Sequence, residues 1–337
     1  MTANGSAVAP TTAAPSAAAD GRSLGERIVG TAVGDRIYVA VITGLALCVP
    51  LLLVVLFWEV ARAGWPALRQ FGFGFFTSNT WDPVQHHFGA GAAIFGTIVT
   101  SSIALVVATP LALGVAIFLA EYAPRWLRQP VGFLVDLLAA IPSVVYGLWG
   151  IFVLVPLLRQ HVMPFLRDTL HLGATPFFSG PTYGPSMLAA GLILAIMVLP
   201  YISSVSREVL LAVPRSQREA ALALGATRSE MIRKAVVPYA KSGITGGMIL
   251  GLGRAIGETM AVTMLIGNTH DISASLFAPG YTMASLIANE FSEASDDLHL
   301  AALMAVGFAL LVITLLVNAL ARWLVWRVGR DAIARIT

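Results

Sequence analysis

Residues 214–238 read Pro214-Arg-Ser-Gln-Arg-Glu-Ala-Ala-Leu-Ala-Leu-Gly-Ala-Thr-Arg-Ser-Glu-Met-Ile-Arg-Lys-Ala-Val-Val-Pro238. Ser216 and Glu219 have the spacing of a capping box, in which a hydroxyl and a carboxylate reciprocally satisfy the first free amides of a helix. A helix is therefore expected to start at Ser216, and Gly225 supplies its stop. Thr227 and Glu230 repeat the box and open a second short helix, expected to end before Pro238. The surrounding segment 207–241 holds seven Arg or Lys residues, so it is a basic, water-facing pair of helices. In the first helix Ala220, Ala221 and Ala223 let another surface approach the backbone closely, while Leu222 and Leu224 can fill pockets in it. A basic helix pair can equally lie on lipid headgroups, and composition leaves the two readings open.

On both sides of this segment the chain is apolar. Of 337 residues 57% are hydrophobic and 12% charged, against roughly 45–50% and about 25% in soluble domains. Six runs, 38–57, 93–120, 131–158, 186–206, 242–267 and 298–321, approach the ~20 residues that cross a bilayer core. The fold class that follows is an all-α integral membrane protein of six transmembrane helices, with one domain over 38–326, a helical loop at 207–241, a cytoplasmic disordered tail and pre-helix over 1–37 and a cytoplasmic C-terminal tail over 327–337. Prolines 50, 110 and 142 fall in or near the runs, where neighbours can satisfy the carbonyls they free. With the N-terminus inside, sixteen Lys and Arg lie on inner segments, four (Arg62, Arg69, Arg159, Arg167) on outer ones, and Arg254 within a run. That asymmetry places both termini in the cytoplasm.

Several chemistries are set aside. The net charge of +3 gives no basic platform for nucleic acid. The lone Cys48 forms no internal disulfide, and the six histidines lack metal-ligand spacing. No G-x-x-x-x-G-K-[ST] stretch occurs, and Gly251-Leu-Gly253 lies inside an apolar helix rather than after a strand. The chain is expected to carry no catalytic residue, metal or cofactor. If ATP drives it, a partner hydrolyses the ATP.

Arg254 and Glu258 interrupt the fifth run four residues apart, on one helix face. A charge at this depth costs at least ~2.5–3.5 kcal/mol on insertion scales, so both are expected to face the bundle interior or water. A structural ion pair and a place on a substrate pathway compete as readings. Asp136, near the start of the third run, is a candidate interhelical partner. Gly243, Gly247 and Gly251 repeat every four residues, the spacing that lets membrane helices pack closely. The aromatic stretch 61–92 reads as interfacial anchors with a short plug or amphipathic piece. The acidic stretch 267–297 reads as a solvated loop, or as a docking face for a soluble partner.

Glu219-Ala220-Ala221, then three residues and Gly225, then nine residues and Ala235-Val-Val-Pro238, resembles the EAA loop of ABC importer permeases, with Ala235 where that family usually has isoleucine. The resemblance implies a type I (MetI-like) architecture whose loop docks on an ATPase through Glu219, Ala220, Ala221, Leu222 and Gly225. Gly253-Arg-Ala-Ile-Gly-Glu-Thr-Met260 and Ile141-Pro-Ser-Val-Val-Tyr-Gly147 resemble phosphate-importer permeases of the PstC and PstA type. Phe75-Phe76-Thr-Ser-x-x-Trp81-Asp-Pro83 resembles the PstC group among them. What this resemblance implies is inorganic phosphate as substrate, Arg254 and Glu258 on its pathway, and a bacterial inner-membrane complex. Its other members would be a PstA-like permease, a PstB-like ATPase dimer and a PstS-like binding protein. The rival expectations are a permease for another oxyanion, molybdate or sulfate, and an ion-coupled secondary transporter, which would place acids deep in several runs.

Overall fold

The computed structural model describes the backbone of residues 24–333 and the side-chain surroundings of residues 34–323. Residues 1–23 and 334–337, which hold most of the expected N-terminal tail and the last residues of the expected C-terminal one, lie outside the described residues. The chain divides after Leu56 into two units. In the first, helix α1 (Leu24–Phe71) exposes every side chain from 34 to 56, as a helix solvated by lipid does. Its remainder belongs to the second unit, which holds all the other elements.

After α1 come a short helix α2 (Gly74–Thr77) and a hairpin of β1 (Trp81–Asp82) with β2 (His87–Phe88). Helix α3 (Gly91–Ile117) ends in a wide π-type turn over Phe118–Tyr122. Next is α4 (Arg125–Ala140). A long helical stretch follows, α5 (Ser143–Trp149), a wide turn, α6 (Val155–Leu157), and further wide turns as far as Thr169. Helix α7 (Met187–Ala212) leads to α8 (Arg215–Ala223) and α9 (Arg228–Met231). Then come α10 (Val237–Gly257), α11 (Met260–Leu265), α12 (Met283–Glu290) and α13 (Asp297–Ile333).

The bundle is organised by α3. Gly96, Thr100, Ala104, Ala108, Ala112, Ala116 and Ala120 recur at every fourth position, and all are buried. At 3.6 residues per turn such a row winds round the helix by about 40° per step, so it meets different neighbours along its length. Gly96 lies against the Tyr281 carbonyl. Ala104, Ala108 and Ala112 pack with Ala190, Leu194, Val198 and Ile202 of α7. Ala116 and Ala120 join Leu210, Val213, Met231 and Ile232 at the far end. Small side chains substitute contact area for the hydrophobic drive that lipid does not provide. On the other flank of α7 the expected glycine row of α10 does the same. A Cβ on Gly243 or Gly251 would come within 2.5 Å of Val209 or 2.8 Å of Ile202.

Four expectations are corrected. First, the run 131–158 is not one helix. Pro142 forces Ile141 into extended backbone (ψ 129), so α4 stops, and the crossing helix is Ser143–Thr169. Arg159 and Arg167, expected in an outer loop, therefore sit on that helix. Second, the run 242–267 is broken at Glu258 (ψ 128). Five helices among the described residues are long and apolar enough to cross a membrane, and this run is not among them. The six glycines of α10, with Lys241 and Arg254, dilute its apolar surface, while it still reaches about 31 Å at 1.5 Å per residue. Third, the second loop helix does not end before Pro238. A wide turn, Ile232–Val236, carries α9 straight into α10, with Pro238 two residues past that turn.

Fourth, the stretches 61–92 and 267–297 are not wholly surface. Phe75, Trp81 and Phe88 are core residues packed with Ala302, Ala305 and Val306 of α13, although Trp65 and Phe73 remain exposed. Phe277, Tyr281, Met283 and Leu286 are likewise buried, because 265–283 straps the start of α7 and α3. Ser186, Met187 and Leu188 donate their backbone N–H groups to Leu265, Ala278 and Leu276 carbonyls at 2.9, 3.0 and 2.9 Å. These are the amides a helix N-terminus leaves free. The Met283 N–H donates to Thr97 Oγ1 at 2.9 Å, which ties the strap to α3. Gly96→Ala is expected to destabilise the protein by about 1–3 kcal/mol, since the new methyl meets backbone. Gly114→Ala, with open space before it, should be neutral or gain up to about 1 kcal/mol. Thermal unfolding in detergent compares the two.

Candidate functional site

The loop at the basic end is built as two capped turns, but not with both caps expected. Helix α8 starts at Arg215 with Pro214 at the N-cap and no side-chain cap bond. The helix begins directly after Pro214, leaving Ser216 inside the first turn, so Ser216 and Glu219 do not form a capping box. The stop is as expected: Gly225 has φ +82, Ala226 N–H donates to the Ala221 carbonyl at 3.2 Å and Gly225 N–H to the Leu222 carbonyl at 3.0 Å. Those two bonds are the Schellman pair. At α9 the Thr227–Glu230 box is complete. Glu230 accepts from Thr227 and Lys234, which hold its carboxyl down to about 2.

Of the residues expected to dock, Glu219, Ala220, Leu222 and Gly225 are exposed, and Ala221 is partly buried toward the bundle. Leu224 is 89% exposed.

The second group lies at the break in α10. Arg254 and Glu258 do not share a helix face, because the backbone leaves the helix at Glu258. The Glu258 carboxylate turns forward and accepts from Ala261 N–H at 3.5 Å, a favourable place for a negative charge at the start of α11. The Arg254 guanidinium lies over the ring of Tyr201, 4.7 Å from its centroid, and its buried Nε–H has no hydrogen-bond partner. Among the described residues no ion pair joins Arg254 to Glu258 or to Asp136, and Asp136 is exposed on α4.

Tyr201 is itself positioned by the other helix break. The last carbonyls of α4 have no partners within the helix. Tyr146 Oη donates to the Leu138 carbonyl at 2.8 Å and Tyr201 Oη to the Ala139 carbonyl at 3.4 Å. Pro142 thus creates the acceptors that orient the tyrosine beneath Arg254. Sequence reasoning missed Tyr201, which is one aromatic in an apolar run. Tyr146 was visible only as part of the 141–147 motif. A guanidinium stacked on a ring, with an unspent donor and no carboxylate beside it, keeps its charge available to an anion.

Residues 112–330 match the family described as the binding-protein-dependent transport system inner membrane component. This chain belongs to that family. It is 48% identical over 299 residues to the phosphate transport system permease protein PstC of Mesorhizobium japonicum, covering 88% of this chain and 91% of that one. It is 46% identical over 310 residues to PstC of Xylella fastidiosa, covering 91% and 95%. Among solved structures it is similar to a chain of a bacterial alginate ABC transporter, with TM-score 0.56, 15% identity and coverage of 86% and 94%. It is also similar to a chain of the MetNI methionine ABC transporter in inward-facing form, with TM-score 0.51, 17% identity and coverage of 70% and 94%. These two likenesses show the type I permease fold.

Two measurements check the permease loop. Gly225→Ala forces a left-handed conformation that costs about 1–2 kcal/mol outside glycine, so hydrogen exchange at the Gly225 and Ala226 positions should speed up by about tenfold, while Gly246→Ala changes nothing there. The carboxyl of Glu230 lies below the ordinary range, so its share of loop stability is complete above that range and is lost as pH falls toward about 2. In Thr227→Ala its titration, followed by NMR, should move back up toward the ordinary glutamate range.

Proposed function

We propose that this chain is the permease subunit of an ATP-driven importer of inorganic phosphate. The observation that carries the reading is the stacked, unpaired Arg254 beside the break in α10, in a chain 46–48% identical to PstC proteins over most of its length. Arg254 lies seventeen residues into α10, about 26 Å along the axis from Val237. An anion reaching it exchanges water for a planar fork of donors. Tyr201 holds the guanidinium without neutralising it, so the anion finds a full positive charge that it can also leave. Glu258 acts on this station at one remove, by fixing where α10 ends and α11 begins.

As a member of its family the chain works with an ATPase and a substrate-binding protein. The specific assignment is a PstA-like second permease, a PstB-like ATPase dimer and a PstS-like binder. The excess of Lys and Arg on the loop side supports a cytoplasmic loop and cytoplasmic termini. The exposed face Glu219, Ala220, Leu222, Leu224 and Gly225 then docks on the ATPase, and nucleotide-driven movement of α8 exchanges inward-open and outward-open states.

Radiolabelled phosphate uptake into vesicles holding this chain with its permease, ATPase and binder partners tests the reading. ATP-dependent uptake is expected. Arg254→Gln should lower it by about 10–100-fold with the complex intact, from loss of a charged hydrogen bond worth about 1.5–3 kcal/mol. Tyr201→Leu should lower it less, and Tyr201→Phe least. Import of molybdate or sulfate in place of phosphate would overturn the substrate, and full uptake by Arg254→Gln would overturn the role of Arg254.

A further inference from the structure

Glu121 is the one carboxylate in residues 91–122, and its side chain is 8% exposed. It sits in the π-type turn that ends α3. Arg218 of α8 reaches it across 97 residues of sequence, donating from Nη2 at 2.9 Å and Nε at 3.2 Å to Oε1. The same guanidinium donates to the Leu210 carbonyl at 2.8 Å and to the Val213 carbonyl, acceptors at the end of α7. From α9, Arg228 donates to the Glu121 carbonyl oxygen and lies 4.8 Å over the Tyr122 ring. From α4, Arg128 donates to the Ala120 carbonyl at 3.2 Å. Three arginines from three helices therefore close on one turn of α3.

Covalently, α8 is joined to α7 through Val213 and Pro214, and to α10 through α9. No stretch of backbone joins it to α3. The apolar contacts beneath it, Ala116 and Ala120 against Leu210, Val213, Met231 and Ile232, are non-directional, so they resist separation more than sliding. The ion pair resists both, because parting it leaves the buried Glu121 carboxylate without water or partner. We infer that the Glu121–Arg218 pair is the link that carries displacement of α8 into α3, so that α3 and α7 move together when the loop moves. Glu121 and Arg218 are coupling residues. They touch neither substrate nor the exposed docking face. The inference deepens the proposed function and rests on it for its transport readout.

The experiment uses the assembled complex in vesicles, with phosphate imported and ATP hydrolysed measured side by side. Glu121→Gln keeps an acceptor and removes the charge; Arg218→Gln removes the other charge. Each should leave assembly and ATP hydrolysis in place and lower phosphate imported per ATP by about tenfold, within the usual range of coupling between sites. The double variant should be no worse than either single one, as for two halves of one link. Arg218→Lys, which keeps the charge, should recover part of the ratio. An unchanged ratio in both single variants overturns the inference. So does a joint fall of import and hydrolysis with loss of the assembled complex, which marks a purely structural pair, and so do losses that multiply in the double variant.

A second readout separates this from the substrate question. Hydrogen exchange over residues 116–123 should change on adding a non-hydrolysable ATP analogue to the wild-type complex, and should not change in Glu121→Gln. If wild type shows this nucleotide response yet imports no phosphate, the phosphate reading falls and the link stands. If wild type imports phosphate and Glu121→Gln responds as wild type does, the link falls and the phosphate reading stands.

Discussion

Everything in this fold depends on how closely α3 can approach its neighbours. Lipid offers no hydrophobic reward for bringing two apolar helices together, so association rests on dispersion contact and on shape. The row from Gly96 to Ala120 supplies the shape. Because it winds round the helix, one surface serves three purposes: the Tyr281 strap at one end, α7 through the middle, and the cluster under the loop at the other. A single larger side chain in the row would push these elements apart.

The second recurring theme is the fate of helix ends. Pro142 ends α4 and frees carbonyls that Tyr146 and Tyr201 satisfy. The end of α7 presents the Leu210 and Val213 carbonyls to Arg218. The start of α7 gives its amides to the strap. In each case backbone groups that cannot be left bare inside a bundle are met by a side chain or segment beyond the helix end itself. Those obligatory bonds place the functional side chains. Tyr201 is oriented because Ala139 needs a donor, and Arg254 finds a ring beneath it as a result. The breaks at Ile141–Pro142 and at Glu258 are thus what builds the site, not defects in two spans.

Much of this was legible in the residues. The spans over 38–57, 93–120, 186–206 and 298–321 follow from uncharged apolar length alone, and each lies within a helix of the structure. The stop at Gly225 and the Thr227–Glu230 box are local rules, and they hold because their atoms are within a few residues of one another. The Ser216–Glu219 box has equally good local spacing and does not form, because the helix already begins at Arg215. The i, i+4 relation of Arg254 and Glu258 fails for a similar reason, since a pattern on a helix face has meaning only while the helix continues.

By itself, then, the sequence determined that the chain lives in a membrane, roughly where it crosses, and which loop turns a rigid face to water. These properties are set by composition and by neighbours along the chain. Only the tertiary structure decided that Arg254 stacks on Tyr201 rather than pairing with Glu258. It alone buries the middle of the acidic 267–297 stretch and brings Glu121 under Arg218. Each of these contacts joins residues or surfaces whose need for a partner is visible in sequence while the partner is not. A desolvated charge or a bare carbonyl must be satisfied, but which of many distant groups satisfies it is fixed by packing alone.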